Sequence, residues 1–391
     1  MSNESIKSPL PGFTDGVHKI IDNAIKNNDL DFFYRLYLTK MAELSLTGQG
    51  KEFTTHAKSA LDDSPSSLFM SKGFEAIGNL IDLDFDKCAR ILDDLEATTR
   101  ELEIKVWVDQ ISSLCRAYIN FHNGDYKSAL KYAEISLRSP IKSGTLDPMD
   151  KGRLIRLVCV ISLIISDTNR INQCAEDIEK IHNPDQLNTL EHAKSAIRSM
   201  QLLVQGEYRQ AYDLAKATVS LEEAAGRTGL ASPFDCKFVV MRCLYEFSLA
   251  DEALKELESL RKEAEQKELK LINYLCEVGE IRILTRSPSK IATTSSKIEK
   301  LRSEILLNPD FKSMVWLVDL AEVFVRGVSS DLGRINTIVN RNLDSGYLQK
   351  IGESILKKPN YEDVKALKEA PEVTSFQLIR KYLELSKVKS E

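Results

Sequence analysis

Residues Ile111 to Pro140 read ISSLCRAYINFHNGDYKSALKYAEISLRSP, and this stretch decides the fold. It parses as two helices joined by a tight turn at Asn123-Gly124-Asp125. Gly124 can take the positive φ that ends a helix, and Asp125 can cap the next one. From Tyr126 onward, Ala129, Leu130, Ala133 and Leu137 recur at one-, three- and four-residue steps, so they share one helical face. Leu114, Ala117, Tyr118 and Phe121 do the same in the preceding helix. Pro140 closes the unit, because proline cannot continue a helix.

More degraded copies lie on both sides. The strings DFDKCARIL, GDYKSALKY, NRINQCAEDI, GEYRQAYDLA and LADEALKEL align on a small residue at Cys88, Ala129, Cys174, Ala211 and Ala253. Twelve residues before the first four anchors stand Ala76, Ala117, Ser162 and Ser199, all small, as close helix packing requires. The fifth copy has Met241 at that place. Fainter copies flank these, one holding Gly50, Phe53 and Ala57, others centred on Ala292 and Ile335.

The stretch resembles a tetratricopeptide repeat, through Ala117, Gly124-Asp125-Tyr126, Ala129 and Pro140. The family's tryptophan near the start of the first helix is replaced by Ser113. The resemblance implies an all-α, right-handed solenoid of antiparallel helical hairpins; the period read from the anchors is about 40, longer than the roughly 34 of the standard repeat and also a fit to HEAT-like helical pairs. The expected organisation is a flexible tail at 1–15, the solenoid at 16–345 (clearest over 64–265) and a helical cap with a tail at 346–391. Phe376 to Leu385 supplies the amphipathic cap helix.

Net charge is −5 with both signs interspersed. That balance disfavours electrostatic capture of nucleic acid or anionic membranes. The first 16 residues lack the apolar core of a signal peptide. The most apolar run, Leu157 to Ile165, is far too short to span a bilayer and reads as a buried helix. The seven cysteines form no C-x-x-C pair and read as core residues of a cytoplasmic protein.

Motif searches are negative. The five histidines sit in no zinc spacing. Gly48-Gln49-Gly50-Lys51 has Ser45 and Glu52 where a phosphate-binding P-loop needs glycine and a hydroxyl, so it reads as a turn between helices. Ser139 to Gly152 reads as a long polar loop, and Asp251 to Lys270 as a solvated second helix with Leu254, Leu257 and Leu260 inward. The expectation is therefore a non-catalytic protein with no cofactor and no metal.

The resemblance also implies a binding face, because first helices line the concave side of such arrays. The family's groove places fall on Leu114, Tyr118, Phe121 and His122, and on Phe238, Arg242, Tyr245 and Glu246. Leu114 and Phe121 serve equally well as core. Tyr118, His122, Arg242 and Tyr245 combine an apolar body with a polar end and are the candidate contacts for a protein or peptide partner. The repeats over roughly 60–310 are also similar to the helical region of LuxR-type activators related to the maltose-regulon activator. That likeness implies a small-molecule effector and a stand-alone or degenerate sensor, since neither their P-loop ATPase nor their basic helix-turn-helix can be made out.

Overall fold

The structure is a computed structural model that describes residues 44–59, 65–99, 102–138, 148–165, 167–181, 188–284, 291–319, 321–322 and 337–338. The expected tail at 1–15, the copy at Ile335, the cap at 346–391 with Phe376 to Leu385, and most of Asp31 to Leu46 lie outside these residues. Among the described residues all regular structure is helical: α1 (Gly50–Ser59), α2 (Pro65–Ile81), α3 (Phe85–Thr98), α4 (Leu102–His122), α5 (Tyr126–Arg138), α6 (Pro148–Ile164), α7 (Thr168–Glu179), α8 (Asn188–Gln205), α9 (Tyr208–Ala224), α10 (Phe234–Glu246), α11 (Ala250–Gln266), α12 (Lys270–Leu284) and α13 (Ile291–Leu307). Short 3₁₀ turns cover Gly229–Ala231 and Pro309–Met314. The all-α, helical-hairpin class is as expected.

The chain divides into two compact units, Met1–Cys115 with Val219–Pro233, and Arg116–Thr218 with Phe234–Glu391. In unit 1, α2 packs on both α1 and α3. A β-carbon on Gly50 would overlap the Gly78 carbonyl oxygen, so two glycines let α1 and α2 touch backbone to backbone. Gly50 N–H also donates to Asp82 Oδ1 at 2.9 Å. Close packing therefore accounts for the Gly-Gln-Gly stretch, as its reading as a turn expects. Phe53, Phe74 and Ile81 fill the space between these helices, the two rings edge to face at 6.3 Å. Thr228 N–H donates to the Leu46 carbonyl, and buried Arg227 pairs with buried Glu222 at 2.7 Å.

In unit 2 consecutive helices pack on one another: α5 on α6, α6 on α7, α7 on α8, α10 on α11, and α12 on both α11 and α13. First helices also run side by side, α6 against α8 and α8 against α10. That is how a solenoid propagates, each repeat burying its apolar face on its neighbours.

The repeat register is carried by one hydrogen-bond pattern. The residue four places after each cap donates its N–H to the cap carbonyl: Cys88 to Asp84, Ala129 to Asp125, Ile171 to Asp167, Ala211 to Glu207 and Ala253 to Leu249. Asp84, Asp125 and Asp167 also accept from the N–H three residues on, at 3.1, 3.0 and 3.1 Å. This corrects the third anchor. Ile171, not Cys174, stands in register, one helical turn earlier on the same buried face, and successive anchors then fall 41, 42, 40 and 42 residues apart. The slip arises because a small cysteine and a fully buried isoleucine lie on one stripe, and only the cap distinguishes them. Twelve residues before Ile171 stands Cys159, small and fully buried like Ala76, Ala117 and Ser199.

Met241 is the exception at that place, and the next repeat accommodates it. A β-carbon on Gly279 of α12 would meet Leu257 Cδ1 at 3.3 Å and Met241 Cε at 3.6 Å, so the glycine vacates the room the larger side chain takes. Residues 148–152 of the expected Ser139 to Gly152 loop are helical, because Pro148 opens α6, and 139–147 lie outside the described residues. There Gly152 faces Leu190 of α8 at a distance that leaves little room for a side chain. Leu154, Ile155, Leu157, Val158, Cys159 and Ile161 are buried, so α6 is covered on most sides. All seven cysteines are buried and none is in a disulfide.

Candidate functional site

Helix α6, which contains the apolar run from Leu157, carries two arginines one turn apart, Arg153 and Arg156. A guanidinium in such a helix needs a fixed counter-charge, because burying it alone is costly. Arg156 finds one on α10: its Nε and Nη2 donate to Asp235 Oδ2 and Oδ1 at 2.6 and 2.7 Å. This is the two-pronged geometry a guanidinium and a carboxylate match best. Asp235 sits in the first turn of α10, where Oδ1 also accepts from the Cys236 N–H at 2.8 Å. Arg153 approaches Asp150 of its own helix at 3.4 Å.

Tyr118, on α4, faces this group. Burial pushes its hydroxyl up to about 12, the charges of Arg153, Asp150, Arg156 and Asp235 acting on it more weakly and in opposite senses. It therefore keeps its proton through the physiological range and can both donate and accept. On α10, Arg242 lies seven residues after Asp235, two turns along the same face. Its guanidinium stands over the Tyr245 ring at 5.2 Å and reaches Glu246 Oε1 at 2.7 Å.

The expected contacts thus divide. Tyr118 belongs to the charged group spanning α4, α6 and α10. Arg242 and Tyr245 form a stacked pair further along α10, with Tyr245 itself buried. His122 is buried at the end of α4, its ring edge-on to Phe121 at 5.1 Å. Burial lowers its imidazole to about 4, so it is neutral near pH 7 and sits as a packing group. Leu114 is half-buried and Phe121 buried. Arg153, Arg156, Asp150 and Asp235 were not singled out from the sequence, although the R-x-x-R pair inside an apolar helix was the available signal.

Burial pushes the Cys243 and Cys276 thiols up to about 12, and the Cys159 thiol rises through its hydrogen bond with Cys174 and through burial. These are the opposite of activated thiolates. Among the described residues no group of three His, Cys, Asp or Glu could hold a metal ion, and no helix is long and apolar enough to cross a membrane.

No family model matches the chain, and no curated protein matches it. Among solved structures it is similar to a Rap protein complexed with competence and sporulation factor, with a TM-score of 0.58 and 11% identity over 91% of this chain and 98% of that one. It is also similar to the apo form of RapI, at a TM-score of 0.40 and 12% identity over 96% and 99%. The first likeness establishes a shared helical-repeat fold; the second is too distant to support an argument.

Proposed function

We propose that this chain is a non-catalytic, cytoplasmic helical-repeat protein with a regulatory role, which binds a protein or peptide partner through the face lined by its first helices. The observation that carries this reading is the pair of ion pairs Arg156–Asp235 and Arg153–Asp150, whose charges act on the Tyr118 hydroxyl. Charged and hydroxyl groups are set there on three first helices, α4, α6 and α10, rather than on the outer second helices. Arg156 and Asp235 hold each other through two bonds, which fixes α6 and with it Arg153. An extended chain offers carbonyl, amide and charged groups that such a frame can engage. The Rap protein of like fold was solved with competence and sporulation factor, which supports a partner-binding use of this architecture.

Affinity capture from native lysate tests it, with a Tyr118→Phe/Arg153→Gln variant beside the wild type. A stoichiometric protein or peptide held by the wild type and lost by an equally stable variant supports the reading. A partner retained by the variant removes it. The related reading, a stand-alone sensor module of a LuxR-type regulator, expects stabilisation by a small metabolite and no captured protein. Thermal shift in the same preparation separates the two.

A further inference from the structure

Residues 308–319 fold back on unit 2. The base of this excursion is pinned. Arg302 of α13 donates to Asp319 Oδ1 at 2.9 Å and also holds Glu322, with all three side chains nearly inaccessible. The tip is held differently. The Pro309–Met314 turn carries Phe311 and Met314, both buried. Phe311 stacks edge to face on Tyr274 of α12 at 5.1 Å. Met314 lies against Gly124, the turn between α4 and α5, some 190 positions earlier in the chain. Gly124 has φ +72°, and a β-carbon there would overlap Met314 Cγ and Sδ and meet Phe311 Cδ1 at 3.5 Å. Only glycine both turns the chain and admits the thioether.

We propose that the Pro309–Met314 turn is a strap latched on the α4–α5 turn, whose tip releases while its base and the helical hairpins stay folded. The two ends are fastened by different physics. A guanidinium with two buried carboxylates is costly to separate. The tip packs along α13, is joined to Tyr274 through the Asn308 side chain, and is locked by one flexible methionine and one aromatic edge; methionine adapts readily to alternative packings. The 3₁₀ turn adds little backbone rigidity, its Phe311 N–H reaching the Asn308 carbonyl at 3.2 Å. Latched, the strap ties the end of α4 to α12. Both are first helices, so anything that must part them has to free Met314 first. The strap rests on contacts within unit 2 and not on the proposed partner.

Hydrogen exchange on the full-length chain tests it, comparing wild type with Met314→Ser and, separately, Gly124→Ala. In both variants the amides of 311–317 and of Gly124 to Tyr126 should exchange at least about tenfold faster. The Ile171 and Ala253 amides should keep wild-type rates. The latch is overturned if neither segment accelerates, if only one does, or if the anchor amides accelerate equally. The last result would make the strap part of the cooperative core.

Discussion

Arg156 on α6 grips Asp235 on α10 through two bonds of 2.6 and 2.7 Å, joining repeats whose residues lie 79 positions apart. Helix α8 packs against both of those helices, so the pair fixes three successive first helices relative to one another. Both side chains are largely withdrawn from solvent. Truncating either leaves a buried charge without its partner.

Arg156→Ala or Asp235→Ala alone should therefore cost about 3–5 kcal/mol of unfolding free energy. The apolar double replacement Arg156→Met/Asp235→Leu should cost much less than the two single changes together. Urea unfolding of all three variants checks this. Additive losses would mean that the two groups do not hold each other.

The pH dependence centres on His122. Its folded value is near 4 against an ordinary 6.5. The unfolded chain thus binds the proton more readily, and the folded state loses stability as pH falls from 6.5 towards 4. The contribution is complete above 6.5 and amounts to about 3 kcal/mol over that window. Urea midpoints at pH 4.5 and 7.5 should differ less in His122→Gln than in the wild type. An equal difference in both proteins would place the titrating group elsewhere.

The buried anchors leave no spare volume. Ala129 is wholly inaccessible on α5. Ala129→Leu should destabilise by about 1–3 kcal/mol through overpacking, read as a lower thermal midpoint. By contrast, the exposed Arg209–Asp213 pair on α9 stands at 3.1 Å with both side chains mostly in solvent. Arg209→Ala should change stability by less than about 0.5 kcal/mol.

Thiol chemistry gives an independent reading of burial. All seven cysteines are buried and unbridged. A colorimetric disulfide reagent should react slowly with the native chain and with seven thiols once it is denatured. Rapid native reaction of several thiols would contradict the packing of α6, α10 and α12.

Much of this was legible in the sequence, because helical hairpins advertise themselves locally. Gly124-Asp125-Tyr126 shows its turn, its cap and its helix start within three residues. The small pairs Ala76/Cys88 and Ala117/Ala129 show where helices approach. Cys174 misled, since neighbouring turns of one buried stripe look alike until the Asp167 cap is seen. His122 has a polar end but lies buried against Phe121, and no local pattern separates a packed imidazole from an exposed one. The Arg156–Asp235 bond was hidden by distance along the chain: Arg156 stands out within an apolar helix, but nothing local names Asp235 as its partner until α6 and α10 are set beside the same neighbour. The strap at Met314 was hidden for the same reason, although Gly124 was recognised as a turn.

The central claim is that the first helices form the binding face. Hydrogen exchange of the chain with its captured partner, against the free chain, tests this most directly. The account predicts slowed exchange at Tyr118 on α4, around Arg153 and Arg156 on α6, and from Asp235 to Arg242 on α10. Protection confined to the second helices α5, α7 and α11, with those segments unchanged, would contradict it.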